Sequence, residues 1–135
     1  MGRQDRFPSD ALVGVHVLVV DDDEDSRDII QTVLRYCGAL VTLAASAAEA
    51  LRTLGHVTPD VVVSDIAMPE HDGYWLLREL RALPSGGGIP VVAITAHGDR
   101  HRPERTLSAG FQAHVRKPID PWELCRVLVS VTRRD

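Results

Sequence analysis

Three β-branched residues, Val61, Val62 and Val63, run through Ser64 into a single carboxylate, Asp65. An unbroken apolar run that stops at a turn is the pattern of a parallel strand covered on both faces. The turn carries Pro69 and Gly73, and a helical pattern follows it. In an open α/β sheet the chemistry gathers outside the carboxyl ends of the strands. Asp65 therefore stands where a reactive group belongs, although a lone acid at that place serves equally well as the cap of a turn.

The same strand-then-helix unit recurs along the chain. Val15 to Val20 form a first strand that ends on Asp21-Asp22-Asp23-Glu24-Asp25. The helix after it places Ile29, Ile30, Val33, Leu34 and Cys37 at helical spacing and stops at Gly38. Acids in a first turn also suit the helix dipole, so part of the acidic run needs no catalytic explanation. A short strand from Leu40 to Ala44 leads to a capping box, Ser46 with Glu49, and to a helix burying Ala47, Ala50, Leu51 and Leu54 before Gly55. Thr58-Pro59-Asp60 turn into the Asp65 strand. The third helix spans Gly73 to Leu83, with Leu76, Leu77, Leu80 and Leu83 inward, and Pro84 to Gly88 read as a flexible loop.

A fourth strand, Pro90 to Ile94, ends on Thr95-Ala96. Helical pattern is weak until Arg105 to Ala109, and Gly110 stops it. A fifth strand, Gln112 to Val115, precedes Arg116-Lys117-Pro118. Asp120 then caps a helix with Pro121 at its first position, Glu123 completing a capping box, and Leu124, Val127, Leu128 and Val131 along one face. Five strands alternating with five helices imply a doubly wound parallel sheet. Residues 1–11 are polar and aperiodic and read as a tail or linker, leaving one domain over residues 12–135.

Composition narrows the function classes. The net charge of −4 argues against non-specific nucleic-acid binding as the main task. Cys37 and Cys125 are far apart in the chain and form no metal-type pair, which suits a reducing, cytoplasmic setting. No apolar run reaches membrane-spanning length and no signal peptide opens the chain. The histidines show no ligand spacing on a helix face, which speaks against a zinc site.

The strand ends then define the chemistry. Asp21 and Asp22 come from the first strand, Asp65 from the third, Thr95 from the fourth and Lys117 from the fifth, all on one rim. Three crowded carboxylates repel unless a cation joins them. Three aspartates and one lysine leave a bare site at about −2, which one Mg²⁺ brings near zero. A hydroxyl and an ammonium beside such a metal are the groups that hold a phosphoryl oxygen, and a carboxylate can accept the phosphoryl group covalently.

These residues also carry a resemblance. Val17-Leu18-Val19-Val20-Asp21-Asp22-Asp23, Ser64-Asp65-Ile66-Ala67-Met68-Pro69 with Asp72-Gly73, Ile94-Thr95-Ala96 and Lys117-Pro118, in this order and each at a strand end, resemble the receiver domain of two-component response regulators. The likeness covers about Val15 to Val131. It implies a flavodoxin-like (βα)5 fold with strand order 2-1-3-4-5. It further implies that Asp65 takes a phosphoryl group from a histidine kinase or a histidine phosphotransfer protein. Mg²⁺ would be bound by Asp22, by Asp21 through water, by Asp65 and by the Ala67 carbonyl. Thr95, Lys117 and the backbone at Ala67 and Ala96 would hold the phosphoryl group, and the bond from Lys117 to Pro118 is often cis in this family. The helix 4–strand 5–helix 5 face would meet a downstream protein or a second copy in a phosphorylation-dependent dimer. Nucleic-acid binding and membrane insertion form no part of the picture.

Ala11-Leu12-Val13-Gly14 and Gly110-Phe111-Gln112-Ala113-His114-Val115-Arg116-Lys117-Pro118-Ile119-Asp120 look most like receivers joined to hybrid sensor histidine kinases. Two positions depart from the family pattern. His114 stands where many receivers carry an aromatic switch residue; it is either a switch of unusual polarity or an exposed residue of an edge strand. Ala67 and His97 flank the site at positions that tune the phosphoryl lifetime. Arg100, Arg102 and Arg105 form a basic patch that is either a solvated face or a docking site for an acidic partner. Tyr74, Trp75 and Trp122 read as packing anchors. Two alternatives are weaker. A small-substrate phosphohydrolase needs a general acid and a cap, and Ala67 stands where that acid would be. An interaction-only receiver has no need of the intact set Asp21, Asp22, Asp65, Thr95 and Lys117.

Overall fold

A computed structural model describes residues 10–96 and 103–132. The strands are β1 (His16–Val20), β2 (Leu40–Ala44), β3 (Val61–Asp65), β4 (Val91–Thr95) and β5 (Ala113–Arg116). The helices are α1 (Glu24–Tyr36), α2 (Ala47–Leu54), α3 (Gly73–Ala82), α4 (Pro103–Ala109) and α5 (Pro121–Thr132). All strand pairs are parallel and the order is β2-β1-β3-β4-β5, the doubly wound, flavodoxin-like arrangement expected. The expectations for residues 1–9 and for His97, Arg100, His101 and Arg102 fall outside the described residues.

Alternation along the strands splits the core into two layers. Val17, Val19, Val61, Val63, Val92 and Ile94 face α1 and α5, where Ile30, Leu34, Leu124 and Leu128 cover them. Leu18, Val20, Val62 and Ala93 face the opposite way, towards Ala50 and Leu54 of α2 and Leu76, Leu77 and Leu80 of α3. β3 is buried along its whole length, as its unbroken valine run requires.

The caps follow the sequence closely. Asp23 Oδ2 accepts from Ser26 N at 2.9 Å and starts α1. Ser46 Oγ accepts from Glu49 N at 3.0 Å, while Glu49 Oε1 reaches back to Ala45 N at 2.7 Å. Asp120 Oδ1 accepts from Trp122 N at 2.9 Å. Leu12 is wholly buried, and its N–H donates to the Cys37 carbonyl at 2.8 Å.

Three details differ from the sequence reading. Ile29 is 56% exposed, because the buried stripe of α1 is Ile30, Leu34 and Cys37 and its neighbour turns outward. Residues 84–88 are pinned rather than loose: Arg81 Nη1 donates to the carbonyls of Gly86 and Ile89, at 2.9 and 2.8 Å. Gly86 is also pressed against Leu80, with no room for a Cβ. Cys37 and Cys125, distant in sequence, meet in the core with their sulfurs 2.7 Å apart as free thiols. Burial pushes the Cys125 thiol up to about 12, so it packs as a small apolar group.

Among the aromatics, Tyr74 packs edge-on against Phe111 at 5.6 Å and lies under the Arg105 guanidinium. Trp122 meets Tyr36 edge-on at 6.5 Å. Trp75 stacks on His71 at 3.8 Å. Leu34→Ala, emptying a site between α1 and the sheet, is expected to lower the unfolding free energy by about 2–5 kcal/mol, measured by urea denaturation at unchanged slope.

Candidate functional site

Because every strand is parallel, the carboxyl ends of β1, β3, β4 and β5 lie on one edge. Asp21 and Asp22 follow β1, Asp65 closes β3, Thr95 closes β4, and Lys117 follows β5. The structure brings the first group of predicted residues together. One carboxylate oxygen from each of Asp21, Asp22 and Asp65 lies within 4.8 Å of the others. Lys117 Nζ stands among them, 3.2 Å from Asp21 Oδ2 and 3.5 Å from Asp65 Oδ2.

Each carboxylate is held differently. Asp21 is buried; its Oδ1 accepts from Asp23 N at 2.9 Å, and Arg27 Nη1 donates to its carbonyl at 2.8 Å. Asp21 Oδ2 is buried and accepts no hydrogen bond, leaving the Lys117 charge as its compensation. Asp22 is exposed. Asp65 is 7% exposed. Burial, and then the negative charge of Asp21, push the Asp65 carboxyl up to about 6 against the pull of Lys117. Burial alone would lower Lys117, yet the carboxylates of Asp65 and Asp21 outweigh it and raise the ammonium above its usual value. Asp23 belongs to the helix rather than to the site. The backbone hydrogen bond from Ser26 lowers its carboxyl.

An under-compensated buried oxygen beside two further carboxylates is a set of hard donors that fits Mg²⁺. Backbone packing fixes the position of Asp65. Gly73 N donates to the Ile66 carbonyl at 2.8 Å, and a Cβ at Gly73 would sit 2.8 Å from the Asp65 carbonyl and 2.9 Å from Ile66 Cα. The start of α3 therefore lies directly against the backbone of Asp65, at a distance only glycine permits. Lys117 N donates to the Thr95 carbonyl at 2.7 Å, and the Lys117–Pro118 peptide is cis. Ala67 and Ala96 are exposed at the rim.

His114 corrects one of the two readings open to it. It is not a freely exposed edge residue. Its ring lies between two hydroxyls, with Nε2 2.6 Å from Thr95 Oγ1 and Nδ1 3.0 Å from Thr106 Oγ1. Thr106 and Arg27 are contributors that the sequence reading missed. A threonine on the inner side of a short helix, where an apolar residue is normal, was the only signal for Thr106.

Comparison with known proteins follows the geometry. Residues 17–129 match the family model described as response regulator receiver domain. The chain belongs to the response regulator receiver family. Receivers of this kind are the phosphoacceptor modules of two-component signalling. An uncharacterized 14.6 kDa protein of Leptolyngbya boryana is 43% identical over 87% of this chain and 89% of its own length. Response regulator Rre1 of Synechocystis is 37% identical over 89% of this chain but 52% of its own length. The receiver spans about half of several curated relatives.

Among solved structures, a response regulator from Chloroflexus aurantiacus superposes with TM-score 0.84 at 32% identity, covering 89% of this chain and 98% of that one. The receiver domain of a sensor histidine kinase from Pseudomonas aeruginosa, solved with magnesium coordinated in its active-site cleft, superposes with TM-score 0.80. It is 32% identical, over 87% and 97% of the two chains. Similar receivers thus include both separate regulators and parts of kinases. No helix among the described residues is long and apolar enough to cross a membrane.

The raised Asp65 carboxyl has a consequence for stability. The folded protein holds this proton more tightly than the unfolded chain, whose value is 3.8. Without metal, the contribution is intact below about pH 4 and is lost as pH rises to about 6, a change of about 1–3 kcal/mol. Asp65→Asn should therefore gain stability relative to wild type between about pH 4 and 6 in chelator, with a constant difference at higher pH, measured by urea denaturation. A difference independent of pH would contradict the raised value.

Proposed function

We propose that Asp65 is the phosphoacceptor and that the donor is a phosphohistidine on a histidine kinase or a histidine phosphotransfer protein. An Asp65 carboxylate oxygen attacks phosphorus, the bond from phosphorus to the donor imidazole breaks, and an acyl phosphate forms. Attack by water later releases inorganic phosphate and restores the carboxylate. The reading rests on one observation above the rest: a buried aspartate facing two further carboxylates and a lysine ammonium at one sheet edge.

Asp21, Asp22, Asp65 and the Ala67 carbonyl would hold Mg²⁺, which supplies positive charge against the incoming phosphoryl oxygens. The chain's own groups do the rest. Lys117, released from part of its carboxylate pairing, bonds one phosphoryl oxygen, and Thr95 donates its hydroxyl to another. Backbone N–H groups near Ala67 and Ala96 complete the cradle. Ile29 lies exposed beside Lys117, Pro118 and Ile119 around a recess of about 280 Å³, which gives a donor protein an apolar foothold next to the acceptor. The output is a protein contact on the α4–β5–α5 face, with a downstream protein or a second copy, in the cytoplasm.

Intact mass after incubation with Mg²⁺ and a small phosphoryl donor should rise by one phosphoryl group (~80 Da) and should not rise in Asp65→Ala. A metal-independent gain, or a gain in the variant, would overturn the assignment. Saturating Mg²⁺ at about 100 times its dissociation constant should stabilise the wild type by about 2.7 kcal/mol, seen as a higher melting temperature. Asp21→Asn and Asp22→Asn should each lose most of that rise.

A further inference from the structure

Cys37 and Cys125 lie 88 positions apart in the chain, yet their sulfurs are 2.7 Å apart. Both are free thiols with 0% of their surface exposed. Non-bonded heavy atoms rest about 3.5–4.0 Å apart, whereas a disulfide bond is about 2.05 Å long. The pair therefore stands nearer to a bond than to ordinary packing, and the phosphoacceptor chemistry makes no use of it. We infer that Cys37 and Cys125 form a redox modification site, a latent disulfide that closes in the presence of a low-molecular-weight disulfide and locks α5 onto α1.

Both backbones are held where the sulfurs meet. Cys37 follows α1, and its N–H donates to the carbonyls of Val33 and Leu34 at 3.2 and 3.1 Å. Its own carbonyl accepts from Leu12 N at 2.8 Å. Cys125 lies inside α5 next to the buried Leu124, whose N–H donates to the Asp120 carbonyl at 3.0 Å. Two thiols held in this way meet at high effective concentration, with about 0.7 Å left for the sulfurs to close. Burial governs the rate. With α5 docked no oxidant reaches either sulfur, and the Cys125 thiol, pushed up to about 12, is no nucleophile. Reaction therefore begins when α5 lifts locally. One cysteine loses its proton to water and attacks a disulfide RSSR; the S–S bond breaks, one RS⁻ leaves, and a mixed disulfide remains. As α5 returns, the second thiolate attacks the bound cysteine sulfur, the other RS⁻ leaves, and the Cys37–Cys125 bond forms. Two electrons pass from the cysteines to RSSR, which ends as two RSH after taking up the two protons. The docked helix then hides the new bond from reductants. None of this chemistry depends on phosphoryl transfer at Asp65.

The test incubates the reduced full chain with oxidised glutathione, at the midpoint of urea unfolding and in full denaturant. Remaining thiols are trapped with an alkylating reagent, and intact mass and peptide mapping identify the products. At the midpoint, where α5 opens and closes, the main product should be a monomer linked from Cys37 to Cys125 that takes up no reagent. In full denaturant the ratio of this cross-link to mixed glutathione disulfides should fall by more than about tenfold, because the fold no longer brings the sulfurs together. Returned to native buffer, the cross-linked protein should melt about 7–15 °C above its reduced form. Two alkylated cysteines at the midpoint overturn the proposal, as do glutathione adducts or linked dimers as the main product. A ratio that denaturant leaves unchanged overturns the role of the fold, and an unraised melting temperature overturns the lock.

Discussion

Among the described residues, Lys117 supplies the one ammonium group set among the three carboxylates of the rim. Its Nζ is 3.2 Å from Asp21 and 3.5 Å from Asp65, and both acids are buried. The attraction is strong at such distances when water is largely excluded, but one positive charge cannot satisfy three negative ones. The rim is therefore held together and left short of positive charge at the same time. Burial first, and then that imbalance, raise Asp65; with Asp21 Oδ2 left without a hydrogen bond, the rim is receptive to a divalent cation.

The rest of the fold keeps this edge in place. A parallel sheet delivers the four strand ends to one side, and two apolar layers clamp it from both faces. Local contacts then set the fine position. Gly73 lets α3 begin against the backbone of Asp65, Arg27 anchors the carbonyl of Asp21, and the Lys117 N–H holds the Thr95 carbonyl. Each of these contacts is made to the backbone, so none of them occupies a carboxylate oxygen of Asp65.

Most of the architecture was legible in the sequence because its signals are local. The valine run, the caps at Ser46 and Asp120, and the glycine stops each act over a few residues, and the strand ends follow once the sheet is parallel. The intact set of rim residues was legible for the same reason. What remained hidden depends on pairs far apart in the chain. The proximity of Cys37 to Cys125 arises from α1 packing beside α5, and no periodicity marks it. The place of His114 between two hydroxyls depends on where the short helix α4 lies over β5. Ile29 looked like a core residue because a stripe of five apolar positions is wider than the surface that α1 buries.

The guanidinium of Arg81 works at the opposite edge of the sheet from the acids. It bonds the carbonyls of Gly86 and Ile89 and, at 3.4 Å, the amide oxygen of Gln112, which in turn accepts from Val91 N at 2.8 Å. One side chain at the end of α3 thereby ties the beginnings of β4 and β5. A strand that slips by one residue turns all its side chains to the other face. Alignment at these beginnings thus determines that Thr95 and Lys117 emerge level at the far ends. The accuracy of the carboxylate-bearing edge is in this sense a matter of length measured from a distant origin, like the tip of a ruler whose zero is clamped.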